Sequence, residues 1–282
     1  MRRACIFVLA LITAACGQGA AGNAGGSNAN IATVTPAPEK AAGTPQTVTI
    51  DSPDGVKLVG SYYEAGKPMT PALLLLHHWQ SDRHSFDEFA KRMQAADFNV
   101  LAIDGRGFGE STKKADGSTV AAGRTDTDVK AMIGDVGAAF DYLAKQKNVD
   151  PKRIGIVGAS YGSSLAIIYA ADHPEVAAVA LLSPGLNYFG NMQTEPAIKK
   201  YGERPICLVA ADDDKESASA VRSLKDAGGS NIYNMNEIFK KGGHGTALFD
   251  VVGDWESPSG HALSDLLEAF FVKAPRLMYV RT

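Results

Sequence analysis

Gly158-Ala159-Ser160-Tyr161-Gly162 sets a serine between two glycines, directly after the strand-like run Arg153–Val157 and at the opening of a helical stretch. A serine on such a turn is presented at a helix N-terminus, where free N–H groups and the helix dipole favour developing negative charge. The glycines let the turn close tightly. A serine hydroxyl is a weak nucleophile at its own pKa and needs a base, itself oriented by an acid. Without such partners the motif is only a glycine-rich turn. Two downstream loops carry the missing residue types. The run Ile206–Ala210 leads into Asp212-Asp213-Asp214, and His244 sits in Lys241-Gly242-Gly243-His244-Gly245-Thr246. Asp214 reaches furthest from the strand end and is the preferred acid, Asp212 comes second and Asp213 last. A histidine base acts only when neutral, so turnover at such a site is expected to rise as pH passes the ordinary histidine value of about 6.5.

Strand and helix patterns alternate around these loops. Thr47–Asp51 and Val56–Tyr63, joined by Ser52-Pro53-Asp54-Gly55, read as a β-hairpin. Ala72–Leu76 is continuously apolar, as expected of a strand covered on both faces. Phe86, Phe89, Met93 and Ala96 mark a helix, Asn99–Ile103 a strand, and Val129 to Leu143 a second helix with apolar residues three and four apart. Strand Val176–Leu182, the strand before the aspartates, helix Ser217–Lys225, strand Ile232–Ile238 and helix Ala262–Val272 follow. This order predicts an α/β fold with a mostly parallel central sheet flanked by helices and an antiparallel N-terminal hairpin. In such sheets ligands bind beyond the carboxyl ends of the strands, where the three loops fall. Only 21 residues separate Ser183 from Pro205, too few for a large cap. Leu186, Tyr188, Phe189 and Met192 in that insert are expected to line one side of a shallow pocket for a short acyl chain.

The chain from 47 to 282 resembles the α/β-hydrolases, most of all the dienelactone-hydrolase-like and prolyl-oligopeptidase-like branches. The resemblance rests on the opening hairpin, Leu-Leu-Leu-Leu-His77-His78-Trp79, Asp104-Gly-Arg-Gly-Phe-Gly-Glu-Ser111, the Gly158–Gly162 turn, the aspartate loop and His244-Gly-Thr. It implies the chain order serine, acid, histidine, which leaves His244 and His261 as possible bases. His261 directly precedes the last helix and reads as a helix-start residue, so His244 is preferred. The resemblance also implies an oxyanion hole built from the backbone N–H groups of Tyr161 and Trp79. It departs from the family in two places. His78 stands where glycine is usual, and Ser160 stands where dienelactone hydrolases proper carry cysteine. The implied activity is a serine hydrolase of short-chain carboxylic esters acting on a small-molecule substrate without a cofactor. A peptidase or thioesterase with the same three residues, or a catalytically silent binding scaffold of the cell envelope, are the alternatives. His77, His78 and His84 offer no evident third metal ligand, so no metal site is expected. The glycines of Asp104–Ser111 lack dinucleotide-binding spacing and read as a structural turn.

The N-terminus reads as an address. A basic start at Arg2-Arg3, an apolar run from Ala4 to Leu11 and small residues before Cys16 make residues 1–15 a signal peptide. Ile12-Thr13-Ala14-Ala15-Cys16 resembles a bacterial lipobox, which implies a lipid on Cys16 and attachment to the cell envelope. Gly17 following the cysteine leans toward the outer membrane. Plain cleavage after Ala15 is the rival. Residues 16–46 are then a Gly/Ala/Asn/Pro-rich tether, leaving 47–282 as the folded domain. A net charge of −3 gives no basic field of the kind nucleic-acid binders carry.

Overall fold

The computed structural model describes residues 43–228, 235–251 and 261–278. The expected signal peptide, Cys16 and most of the tether lie outside the described residues. Eleven strands are described: β1 Gln46–Asp51, β2 Val56–Tyr63, β3 Thr70–Leu76, β4 Asn99–Ile103, β5 Lys113–Lys114, β6 Val149–Ala159, β7 Ala178–Leu182, β8 Asn187–Tyr188, β9 Met192–Gln193, β10 Ile206–Ala211 and β11 Met235–Phe239. Six α-helices accompany them: α1 Asp87–Ala95, α2 Asp126–Ala144, α3 Tyr161–Asp172, α4 Thr194–Tyr201, α5 Lys215–Gly228 and α6 Leu263–Met278.

The main sheet runs β1-β2-β4-β3-β6-β7-β10-β11, with β5 pairing onto β2. Pairs β1/β2 and β2/β4 are antiparallel, and from β4 to β11 every pair is parallel. The apolar run of β3 explains itself here. Ala72, Leu74 and Leu76 point into a layer with α2, α3, α4 and α5, while Leu73 and Leu75 point into the opposite layer with α1 and α6. Side chains that alternate between two dry layers leave no position for a polar residue. The expected α/β architecture is therefore the one observed.

The differences lie at short elements. β6 begins at Val149 where Arg153 was expected, because Val149 pairs with Thr70 beyond a register shift. Residues 232–234 of the strand expected over 232–238 lie outside the described residues, and the described strand runs Met235–Phe239. The insert after β7 holds the β8–β9 ribbon and α4, elements too short for periodicity to reveal. Among the described residues, no helix is long and apolar enough to cross a membrane.

Candidate active site

Ser160 sits at the end of β6 with φ 55° and ψ −122°. That backbone region is strained for a residue bearing a Cβ, by roughly 1–3 kcal/mol, and persists only where the surroundings enforce it. Its surroundings do. The Ser160 N–H donates to the Leu182 carbonyl at 2.8 Å, tying the turn to β7. A Cβ on Gly158 would lie 2.2 Å from the Gly162 carbonyl oxygen, and one on Gly162 would lie 2.5 Å from the Leu76 carbonyl oxygen. Both glycines are needed for the turn to fold on itself and against β3. The result is a nearly buried Ser160 whose hydroxyl faces the loop after β11.

That loop brings His244 to Ser160. His244 Nε2 is 2.7 Å from Ser160 Oγ, and His244 Nδ1 is 2.6 Å from Asp214 Oδ2. Burial works to raise the Asp214 pKa, but hydrogen bonds from Ser217 and His244 outweigh it and hold the carboxyl below its ordinary value. The ionised carboxylate fixes the proton on Nδ1 and leaves the Nε2 lone pair toward Ser160. The hydroxyl can therefore pass its proton to His244 as it attacks.

The three adjacent aspartates separate by geometry. Asp212 pairs with Arg222 at 3.0 Å on the surface. Asp213 accepts the N–H groups of Gly242 and Gly243, at 3.3 and 3.2 Å, and clamps the histidine loop. Only Asp214 faces the imidazole. His261 is exposed just ahead of α6, and His84 pairs with Asp87 on the surface.

The loop carrying Trp79 lies against the same turn. The Trp79 ring packs 5.3 Å from the Tyr161 ring and 4.7 Å from Phe189, and Arg124 stacks over both Trp79 and Phe189. Tyr161 opens α3, so its N–H belongs to the first turn and has no intrahelical acceptor. Its hydroxyl is buried beside Gly105, where desolvation pushes its pKa far up and keeps it neutral. His77 is buried with both ring nitrogens engaged. Nδ1 donates to the His78 carbonyl at 2.7 Å, and Nε2 accepts the Gly105 N–H at 2.9 Å. Burial lowers its pKa, so it is a neutral brace between the two loops. Among the described residues, no group of three His, Cys, Asp or Glu side chains could hold a metal ion.

Contacts that the sequence did not foretell complete the site. Ser183 (φ 47°) accepts the Gly245 N–H on its hydroxyl at 2.9 Å and the Tyr188 hydroxyl on its carbonyl at 3.1 Å. His78 Nδ1 lies 3.3 Å from the Thr246 hydroxyl, linking the loop after β3 to the histidine loop. Which partners Ser183 and Thr246 bond to carries no signal of its own in one sequence. Of the expected pocket residues, Met192 is fully buried in the core and lines nothing.

Residues 67–210 match the family described as serine aminopeptidase, S33, over just over half of the 282-residue chain, and the chain belongs to this family of α/β-hydrolases. The matched span contains Ser160, Trp79 and Tyr161 and ends before Asp214 and His244. An uncharacterised Mycobacterium tuberculosis protein is 30% identical over 138 residues, which are 49% of this chain and 44% of that protein. The chain thus spans less than half the length of that curated relative. An esterase of Pyrococcus furiosus superposes with a TM-score of 0.63 at 18% identity, covering 82% of this chain and 92% of the esterase. A dienelactone hydrolase of Anabaena variabilis does so with a TM-score of 0.59 at 18% identity, covering 82% and 99%. At that identity the likeness establishes the shared fold. The chain thus has the α/β-hydrolase fold, with esterases and a dienelactone hydrolase among the structures it superposes on.

Proposed function

We propose that the protein is a serine hydrolase that cleaves short-chain carboxylic esters. The observation that carries this reading is the pair of hydrogen bonds on opposite nitrogens of His244, one to a strained serine and one to an ionised carboxylate. In this mechanism Ser160 Oγ attacks the ester carbonyl carbon while its proton moves to His244 Nε2. Asp214 stabilises the imidazolium through the Nδ1–H. The carbonyl oxygen gathers negative charge and is held by the Tyr161 and Trp79 N–H groups, each worth about 3 kcal/mol when preorganised. Collapse expels the alcohol, which takes the proton from Nε2. Water then attacks the acyl-serine by the same route in reverse and releases the acid.

A peptidase is the second reading, favoured by the name of the matching family. The discriminating experiment compares kcat/KM on p-nitrophenyl acetate with that on aminoacyl p-nitroanilides. The ester reading expects the acetate to be preferred by at least ~10²-fold, and a preference for the anilide overturns it.

Export and lipidation at Cys16 are part of the same proposal, supported by the residues before the cysteine. An inhibitor of the lipoprotein signal peptidase should accumulate the uncleaved precursor, and Cys16→Ala should release a soluble domain. Normal processing in the inhibitor's presence would leave simple secretion.

A further inference from the structure

The β8–β9 ribbon divides the surface beside Ser160 into two parts of different chemistry. On one side Phe189 closes an aromatic shelf with Trp79 and Phe108. On the other, Leu186, Asn187 and Tyr188 face the first turn of α5 across an open groove of about 460 Å³, completed by Lys215, Glu216 and Ser217. We propose that this groove binds the alcohol half of the ester, and that this half is a neutral, polyhydroxylated group such as a sugar. The inference rests on the ester-hydrolase reading above and names the substrate class for that same site.

Two of the groove's lining residues, Tyr188 and Ser217, are hydrogen-bonded to the residues around the site. The Tyr188 hydroxyl donates to the Ser183 carbonyl at 3.1 Å, and the Ser183 hydroxyl in turn accepts the Gly245 N–H next to His244 at 2.9 Å. The opposite wall begins at the carboxylate of the site, since the Ser217 N–H lies 3.4 Å from Asp214 Oδ1. In the proposed pose the group leaving from Ser160 passes Tyr188 into the groove.

Its lining selects the chemistry of that group. Lys215 and Glu216 supply one charge of each sign, and among the described residues neither is engaged in an ion pair. The two charges cancel in their effect on a ligand, so neither an anion nor a cation is favoured. Both can still form charge-assisted hydrogen bonds to hydroxyl groups, alongside the exposed Asn187 amide. Leu186 is 38% exposed, unusual for a leucine, and with the Tyr188 ring it offers an apolar surface to the C–H face of a sugar ring. An aliphatic chain in the same place would strip water from the ammonium and the carboxylate and give nothing back. The volume lies in the range of ordinary ligand pockets, roughly 300–1,000 Å³, and exceeds what a small alkyl alcohol would fill. The short acyl group then faces the aromatic shelf. During turnover the sugar hydroxyl leaves with the proton from His244 Nε2, and the acyl group remains on Ser160 until water removes it.

The test compares kcat/KM on an O-acetylated methyl glycoside with that on ethyl acetate, in the wild type, Glu216→Gln and Asn187→Ala. The wild type should prefer the acetylated sugar at least ~10-fold, as expected where a site is built to bond hydroxyl groups. Each variant should lower that ratio several-fold, mostly through KM. Calorimetric binding of the same acetylated glycoside to Ser160→Ala, with and without Glu216→Gln, reads the groove independently of turnover. Equal efficiency on the two esters, unchanged ratios in the variants, or no binding to Ser160→Ala would overturn the assignment. So would a preference for aminoacyl anilides that Glu216→Gln reduces, which would make the groove a peptide site. Absence of turnover on every ester with intact glycoside binding would instead remove the hydrolase reading and leave the groove standing.

Discussion

At the scale of single residues, three consecutive carboxylates do three different things, and their variants should rank accordingly. Asp214→Asn removes the charge opposite His244 and should lower kcat by about 10²–10⁴ with little change in stability. Asp213→Ala frees the Gly242 and Gly243 amides that it now holds, and should cost less, about tenfold, through a looser histidine loop. Asp212→Ala breaks only an exposed pair with Arg222 and should be nearly silent. Stopped-flow or steady-state ester hydrolysis on the purified variants checks the order, and a dead Asp212→Ala would overturn it. Sequence alone favoured Asp214 by reach and left Asp212 close behind. The distinction lay in which way each side chain leaves the strand end, a matter of a few backbone angles that no spacing rule encodes.

At the scale of elements, the strand–turn–helix around Ser160 was legible because it is local. An apolar strand, two glycines at fixed positions and a helix opening are all written in about fifteen consecutive residues. Gly162 also meets a partner far away in sequence, the Leu76 carbonyl. Gly162→Ala should therefore push α3 away from β3 and misplace both Ser160 and the Tyr161 N–H. Activity should fall by about 10²-fold or more while circular dichroism keeps the native fold. A fully active variant would show that the approach can relax. The insert after β7 was not legible in the same way. Its ribbon strands are two residues each, and Met192, expected at the pocket, is drawn into the core instead. With Leu186 turned into a polar groove and Phe189 closing a shallow shelf, p-nitrophenyl esters should be cleaved best with acyl chains of roughly C2–C6. Rates that keep rising to palmitate would show a deeper pocket than this insert can build.

At the scale of the whole molecule, the sheet was readable from its dry strands, whereas the polar braces that set its loops were not. Asp104 is fully buried at the end of β4. It accepts the N–H groups of Arg83 and Glu110 at 2.8 Å and pairs with the buried Arg83 guanidinium. Asp104→Ala would leave that guanidinium with only the exposed Glu110 carboxylate as counter-charge and strip the acceptor from two backbone N–H groups. It should cost about 3 kcal/mol in urea unfolding. In the sequence this aspartate is one of many in a glycine-rich turn. Its importance comes from Arg83, about twenty residues away. A second brace makes stability respond to acid. The Arg106 hydrogen bonds hold Asp54 down at a pKa of about 2. A carboxyl lowered on folding stabilises the native state above the unfolded value of about 4, and that contribution is lost as pH falls toward 2. The urea midpoint should therefore drop between pH 4 and 2, and drop less in Asp54→Asn. Identical profiles for the two proteins would contradict the role given to this pair.

The central claim is that Ser160 is an activated nucleophile, and a fluorophosphonate probe measures that property directly. Labelling should occur at Ser160 alone, identified by peptide mass, with p-nitrophenyl acetate hydrolysis lost in proportion. Ser160→Ala should take up no label, His244→Ala should label at least ~10³-fold more slowly, and His261→Ala should match the wild type. Absence of labelling in the wild type, or labelling that survives in His244→Ala and disappears in His261→Ala, would contradict the account.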